Sequence, residues 1–239
     1  MILFIADVHL NKKKPDVIHG FLRFLREQAI KADSLYILGD FFDYWIGDDD
    51  SNLLYLLIAK ELKKLKFKGI FCYFIPGNHD FLLNKKFANN SGMLLLPTEQ
   101  VLTLYSYNIL ILHGDVLCTD DVSYQRYRKR VYNHWLQQLF LALPLSIRYF
   151  ILKKIREKSQ YNNSIKSLNI TDVNKQTVIE TFTKYQVDWI IHGHTHRPAI
   201  HKININGKIL HRAVLGAWHK NGSVIKITSK SIELFDFYF

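Results

Sequence analysis

Five short apolar runs set the strongest constraint on how this chain can fold, because each is followed at once by side chains able to hold a metal ion. Ile2 to Ala6 leads into Asp7-Val8-His9, Leu35 to Leu38 into Gly39-Asp40, and Ile70 to Ile75 into Pro76-Gly77-Asn78-His79-Asp80. Ile109 to Leu112 leads into His113-Gly114-Asp115, and Trp189 to Ile191 into His192-Gly193-His194-Thr195-His196. Continuous rather than alternating hydrophobicity predicts strands buried on both faces. Between the runs, Ile18, Phe21, Leu22, Leu25 and Ala29 recur at helical spacing within Val17 to Ala32, and Leu53 to Leu65 does the same. In a sheet of parallel strands, residues just past the carboxyl ends gather at one edge, where open α/β folds carry their sites. Five segments are thus expected to aim oxygen and nitrogen donors at one place.

The C-terminal part changes character. Ala199 to Ile205, Ile209 to Val214, Ser223 to Ile227 and Ser231 to Phe237 are strand-like runs divided by Asn206-Gly207, Asn221-Gly222 and Ser229-Lys230. Asn-Gly between two such runs predicts a hairpin. One segment, 122–168, breaks the alternation with helical patterning throughout. It holds ten basic side chains (Arg126, Arg128, Lys129, Arg130, Arg148, Lys153, Lys154, Arg156, Lys158 and Lys166) against one acid, Glu157, leaving only +2 of the net +11 for the rest of the chain. Trp135, Leu136, Leu139, Phe140, Leu141, Phe150 and Ile151 make the same segment apolar, and Pro144 interrupts it. A helical insertion is expected, basic on one part and greasy on another.

Composition excludes several classes. With 239 residues, of which 48% are hydrophobic and 14% aromatic, the chain can bury a sizeable core and is too apolar for a disordered protein. Cys72 and Cys118 cannot build a disulfide framework and read as reduced cytoplasmic thiols. The N-terminal apolar run lacks the basic n-region and cleavage site of a signal peptide, and no stretch reaches the roughly 18 apolar residues of a spanning helix. Membrane contact is expected to be peripheral.

Asp, His and Asn donors without Cys suit manganese, iron or zinc. Seven candidates (Asp7, His9, Asp40, Asn78, His113, His192 and His194) are too many for one ion and divide into two sites if a carboxylate bridges. Asp40, central to the series, is the expected bridge. Two ions about 3.5 to 4 Å apart form a clamp for in-line displacement at phosphorus. Taken singly, a histidine here is more often a hydrogen-bonded structural residue, and an Asp after a strand can merely cap a helix; it is the joint occurrence, each after an apolar run, that favours a metal site. His196, followed by Arg197-Pro198, is expected to orient a ligand from behind.

The series Asp7-x-His9, Gly39-Asp40, Gly77-Asn78-His79-Asp80, His113-Gly114-Asp115 and Gly193-His194-Thr195-His196 resembles the calcineurin-like metallophosphoesterase superfamily. Longer strings, Gly39-Asp40-Phe41-Phe42-Asp43-Tyr44-Trp45, Cys118-Thr119-Asp120-Asp121, Tyr124-Gln125, Ser159-Gln160, Asn163-Ser164 and Lys166-Ser167, are similar nearly end to end to the UDP-2,3-diacylglucosamine diphosphatases of lipid A biosynthesis. The resemblance implies an α/β fold, a β-sandwich flanked by helices, as a single domain over 1–239 with 122–168 as a helical lid. It implies two divalent ions, Mn2+ foremost, one held by Asp7, His9, Asp40 and His194 and the other by Asp40, Asn78, His113 and His192. Asp40, His79 and His113 would be catalytic, and substrate contacts would fall on Asn78, His79, Asp121, Ser159, Asn163, Lys166 and His192. The implied reaction is attack of an activated water on the α-phosphorus of UDP-2,3-diacylglucosamine, giving UMP and 2,3-diacylglucosamine 1-phosphate. The chain would be a monomer, peripheral on the cytoplasmic face of the inner membrane and drawn to its anionic surface. One position departs from the family: many members carry Arg where this chain has His79, and an imidazole titrates where a guanidinium stays charged.

Two other readings share the scaffold. A nuclease or nucleotide phosphatase would use the basic segment to track a phosphate backbone, but Leu-rich runs are poor stacking platforms, so no nucleic acid is expected. A scaffold keeping metals only for structure has no reason to retain all seven ligands.

Overall fold

The computed structural model describes residues 1–165 and 172–239, and side chains for all of these except 158–165. Of the expected contacts, Lys166 lies outside the described residues, and so do the side chains of Ser159 and Asn163. All five apolar runs form strands: β1 (Ile2–Ile5), β2 (Ser34–Leu38), β3 (Phe71–Ile75), β6 (Tyr107–Leu112) and β7 (Trp189–His192). They divide between two facing sheets, the β-sandwich that the resemblance implies. β1, β2 and β3 pair in parallel in a six-stranded sheet, completed by β4 (Leu94–Leu95) on one side and by antiparallel β10 (Asn221–Ile227) and β11 (Ile232–Tyr238) on the other. β6 and β7 pair in parallel in a five-stranded sheet with β5 (Glu99–Leu104), β8 (Ala199–Ile205) and β9 (Lys208–Val214).

The period of two along each strand explains the unbroken hydrophobicity. Phe4, Tyr36, Leu38, Ile109, Ile111 and Ile191 turn inward and pack between the two sheets. Leu3, Ile5, Leu35 and Ile37 turn the other way, onto α1 (Pro15–Glu27), α2 (Leu53–Phe67) and α3 (Lys85–Ser91). Leu110, Leu112 and Ile190 pack under α7 (Lys175–Tyr185). The result is a helix–sheet–sheet–helix stack in which carboxyl ends of strands from both sheets meet at one rim.

Asn206-Gly207 makes the expected β8–β9 hairpin, with φ of 52° and 85° at the two residues. Asn221-Gly222 does not make a turn: both residues lie inside β10, opposite Tyr238 and Phe237. The chain there crosses from one sheet to the other, and Gly222 packs so closely on Trp218 that a Cβ would come within 2.7 Å of the indole. β5 went unforeseen because its residues alternate partly exposed with exposed at a sheet edge.

The segment after β6 is helical as expected, with α4 (Val122–Val131), α5 (His134–Leu141) and α6 (Leu145–Ile165). Its arginines do not all face solvent. Arg148 is 2% exposed, donates to the Ile46 carbonyl at 2.7 Å and pairs with Asp49. Arg156 pairs with Asp43 at 2.8 Å and Arg128 with Asp115 at 2.6 Å. These pairs fasten α4 and α6 to the loops after β2 and β6. Trp135 and Phe150, by contrast, remain 78% and 61% exposed. No helix among the described residues is long and apolar enough to cross a membrane. Cys72 and Cys118 are both buried.

Candidate metal centre

The rim loops are stitched together by backbone hydrogen bonds. Asp7 donates its N–H to the Gly39 carbonyl at 3.1 Å, His9 to Asp40 at 2.9 Å, and Gly193 to His113 at 2.8 Å. Asp7, His9, Asp40, His194 and His196 all adopt left-handed backbone, with φ of 53°, 49°, 50°, 66° and 55°. Such conformations are uncommon outside glycine, cost on the order of 1–3 kcal/mol each and gather at functional sites. Close approach explains two of the glycines between them. A Cβ at Gly77 would stand 2.2 Å from an Asp40 oxygen, and one at Gly193 2.1 Å from an Asp7 oxygen.

Asp7 and Asp40 are 0% and 2% exposed, and neither caps a helix. Asp40 Oδ1 accepts the His79 N–H at 2.9 Å and lies 3.5 Å from His113 Nε2, while Oδ2 lies 3.7 Å from His79 Nε2 and 3.9 Å from His9 Nε2. Burial works against its charge, yet the three imidazoles hold its carboxyl well below the usual range. Asn78 Oδ1 sits 3.0 Å from His113 Nε2. Burial disfavours the His113 imidazolium, but Asp40 and Asp7 lift it to about 9; burial lowers His9 and His194 to about 4. His9 and His194 are therefore neutral near pH 7, the form that ligates. The Nδ1 of His79 lies 2.6 Å from the Asp43 carbonyl, leaving Nε2 facing the cluster.

The last motif differs from expectation. His192 does not reach the cluster. Its Nδ1 lies 2.8 Å from the Gly193 carbonyl and its Nε2 3.0 Å from Arg212 Nη1. His196, expected behind the ligands, stands among them: its Nε2 is 3.2 Å from Asp7 Oδ1 and 3.4 Å from His9 Nε2. The His194 ring packs edge-on against His113 with centroids 5.1 Å apart. Strand alternation alone would keep residues 192, 194 and 196 on one face; the left-handed backbone at His194 and His196 turns the later two toward Asp7. Asp115 is bound by Tyr124 and Arg128 rather than by the cluster. Asp121 caps α4, accepting the Tyr124 N–H at 3.0 Å.

Two supports went unread in the sequence. Asp80 accepts N–H groups from Asp40, Phe41, Phe42 and Gly77 at 3.2, 2.7, 3.3 and 2.9 Å, locking the second loop to the third. Trp218, wholly buried, donates its backbone N–H to the Asp7 carbonyl at 3.1 Å. The acid after Asn78-His79 was a signal for the first; nothing local signalled the second.

The donor set fits divalent ions. Asp7, His9 and His196 offer one group of converging atoms, Asp7, Asp40 and His113 another, and His9, Asp43 and His79 a third, each within 4.8 Å. Buried carboxylates packed against imidazoles are what such ions take. The sequence profile of the calcineurin-like phosphoesterases matches residues 1–198. The chain belongs to the calcineurin-like phosphoesterase family. Proteins named UDP-2,3-diacylglucosamine hydrolase are 61% identical in Photorhabdus laumondii and 60% in Proteus mirabilis, each over 99% of both chains. One from Salmonella arizonae is 54% identical over 98% of both. Among solved structures, an archaeal phosphodiesterase superposes with a TM-score of 0.50 at 12% identity, covering 99% of both chains, which shows the shared fold. As a calcineurin-like phosphoesterase, the chain places a charge clamp for phosphoryl chemistry at the rim between its two sheets.

Proposed function

We propose that this chain hydrolyses the diphosphate of UDP-2,3-diacylglucosamine to UMP and 2,3-diacylglucosamine 1-phosphate. The observation that carries the reading is the fastening of α4 and α6, the helices on either side of apolar α5, through Asp115, Asp49 and Asp43, to the loops that bear the carboxylate–imidazole cluster. Reactive centre and lipid-compatible surface are thus one assembly, and relatives at 54–61% identity carry that substrate in their names.

Asp7, His9, Asp40 and His196 would hold one divalent ion, and Asp40, Asn78, His113 and His194 the other, with Mn2+ the favoured metal. When bound, such ions acidify a water and neutralise phosphoryl oxygens. The chain's own groups do the positioning. Asp80 and Trp218 fix the Asp40 and Asp7 backbones, and His79, steered by the Asp43 carbonyl, presents Nε2 to a non-bridging phosphoryl oxygen. Asn78 directs its amide against His113. The sugar phosphate departs as an anion, so charge clamping matters more than a proton donor. Asp121, Ser159, Asn163 and Lys166 are proposed contacts to the diacyl-sugar half. The segment 122–168 serves as the lid over that half.

In Mn2+ buffer, UMP release from UDP-2,3-diacylglucosamine should exceed turnover of bis-p-nitrophenyl phosphate by at least about a hundredfold in kcat/KM, a gap of roughly 3 kcal/mol. In 18O-labelled water the label enters UMP, as attack on the α-phosphorus requires. Single-stranded DNA cleaved with equal efficiency would reverse the assignment in favour of a nuclease.

The lid also supports peripheral binding to an anionic membrane. Trp135, Leu139 and Phe150 are exposed, as are Arg126, Lys129, Lys153 and Lys154. Arg148 and Arg156 do not count toward this surface, because internal carboxylates hold them. Each exposed cation contributes about 1 kcal/mol near an anionic bilayer. Replacing Arg126, Lys129 and Lys153 by Gln should therefore weaken partition onto phosphatidylglycerol vesicles about a hundredfold, measured by sedimentation. An unaltered partition coefficient would remove the membrane claim.

A further inference from the structure

The turn that carries His194 and His196 into the cluster has a second face. Thr195 and Arg197 line a cavity of about 200 Å³ together with Asp172, Pro198, His201 and Arg212. Its back wall touches the metal centre's support, since Arg212 Nη1 lies 3.0 Å from His192 Nε2. The cavity is one residue away from the reacting centre.

Its polar groups are incompletely used. Arg197 is paired with Asp172, but Arg212 has no carboxylate within ion-pair distance among the described residues. The Thr195 hydroxyl is buried and lacks a hydrogen-bond partner among them. Asp172 acts on Arg212 only from beyond ion-pair distance and is already paired with Arg197, and a half-buried guanidinium without a close carboxylate, like an orphaned hydroxyl, costs free energy unless a ligand satisfies it. One unbalanced cation in the cavity favours a ligand that carries negative charge. Pro198 adds an apolar wall, Asp172 an acceptor for hydroxyls, and Arg212, His201 and Thr195 donors for carbonyl oxygens.

We propose that this cavity is the subsite for the uridylyl half of the substrate. The inference rests on the diphosphatase reading above. A diphosphate held at the cluster projects two substituents. The diacyl sugar goes toward α4–α6, fastened on the side of Asp43, Asp49 and Asp115. The nucleoside then lies across the 193–198 turn. At about 200 Å³ the cavity falls below the roughly 300–1,000 Å³ typical of drug-sized ligands. It suits one pyrimidine ring with the edge of its ribose, and its polarity excludes an acyl chain. Uracil O2 and O4 would accept from the arginine, histidine and threonine donors, and ribose hydroxyls would donate to Asp172.

The test is equilibrium binding of UMP, by calorimetry, to the parent protein and to Arg212→Met, with Mn2+ and again after chelation. His201→Ala, an exposed position where substitution does not threaten the fold, is the second variant. UMP affinity should fall at least tenfold in Arg212→Met and about threefold in His201→Ala under both conditions, while affinity for 2,3-diacylglucosamine 1-phosphate falls less than threefold. UMP binding as tightly to both variants as to the parent would overturn the subsite. Equal loss for UMP and for the lipid product would also overturn it, by showing that Arg212 acts only through His192. The two readings separate cleanly. UMP binding that depends on Arg212 in a protein unable to cleave UDP-2,3-diacylglucosamine would end the diphosphatase reading and keep the subsite. Cleavage with Arg212-independent UMP binding would do the reverse.

Discussion

Asp40→Asn should lower kcat for UDP-2,3-diacylglucosamine by about a thousandfold or more, the largest loss expected of any single isosteric change in this chain. The substitution removes one charge and no volume. Asp40 is the carboxylate common to both proposed ligand sets, and its two oxygens already face His113, His79 and His9 at 3.5–3.9 Å. A neutral amide in that place weakens both halves of the charge clamp at once, and several kcal/mol of transition-state stabilisation corresponds to three or more powers of ten. The metal-free fold should survive, because the second loop is pinned independently by Asp80 and because removal of one buried carboxylate relieves repulsion between Asp40 and Asp7. Thermal unfolding with and without Mn2+ separates the effects. The parent should gain stability with metal, as any ligand bound only to the native state confers it, whereas Asp40→Asn should gain far less from an equal metal-free midpoint. Activity within tenfold of the parent would refute the bridging role.

The stacked architecture was legible in part because burial leaves a direct mark on composition. Leu35 to Leu38 and Ile109 to Leu112 have no polar position since each residue meets either the other sheet or a helix layer. The same evenness hides which sheet a strand joins, so one parallel sheet and two facing sheets were indistinguishable from the runs alone. Asn221-Gly222 misled because glycine there answers a packing demand from Trp218, not a turn. Charge was legible as a total but not as a disposition: Arg148 and Arg156 look like neighbours of Lys153 and Lys154, yet their partners Asp49 and Asp43 lie about a hundred positions away, with |i−j| of 99 and 113.

Most ligands could be read because a donor directly after a buried strand has only the rim to occupy. The exception was the Gly193-centred motif, where three histidines alternate and the register of the strand end decides which point inward. His192 is the last residue of β7 and shares the outer face with Ile190, whose side chain packs under α7. Only the left-handed turns at His194 and His196 bring the later two imidazoles toward Asp7. No spacing rule announces that.

The histidine register yields the second large effect. His196→Ala should reduce kcat by about a hundredfold or more and lower the Mn2+ content toward one ion per chain, measured by metal analysis after dialysis. The reason is local: His196 Nε2 lies 3.2 Å from Asp7 Oδ1 and 3.4 Å from His9 Nε2, so its loss opens one coordination position and leaves Asp7 without its side-chain hydrogen-bond partner. That hydrogen bond and the neighbouring imidazole charges offset the burial that opposes ionisation of Asp7. His192→Ala is the control with the opposite expectation. Its nitrogens are engaged by Gly193 and Arg212, so metal content should hold at the parent's value and kcat should fall only about ten- to a hundredfold, the range seen when a residue supporting ligands is removed. Loss of an ion in His192→Ala with retention in His196→Ala would restore His192 to the metal and send His196 back behind it.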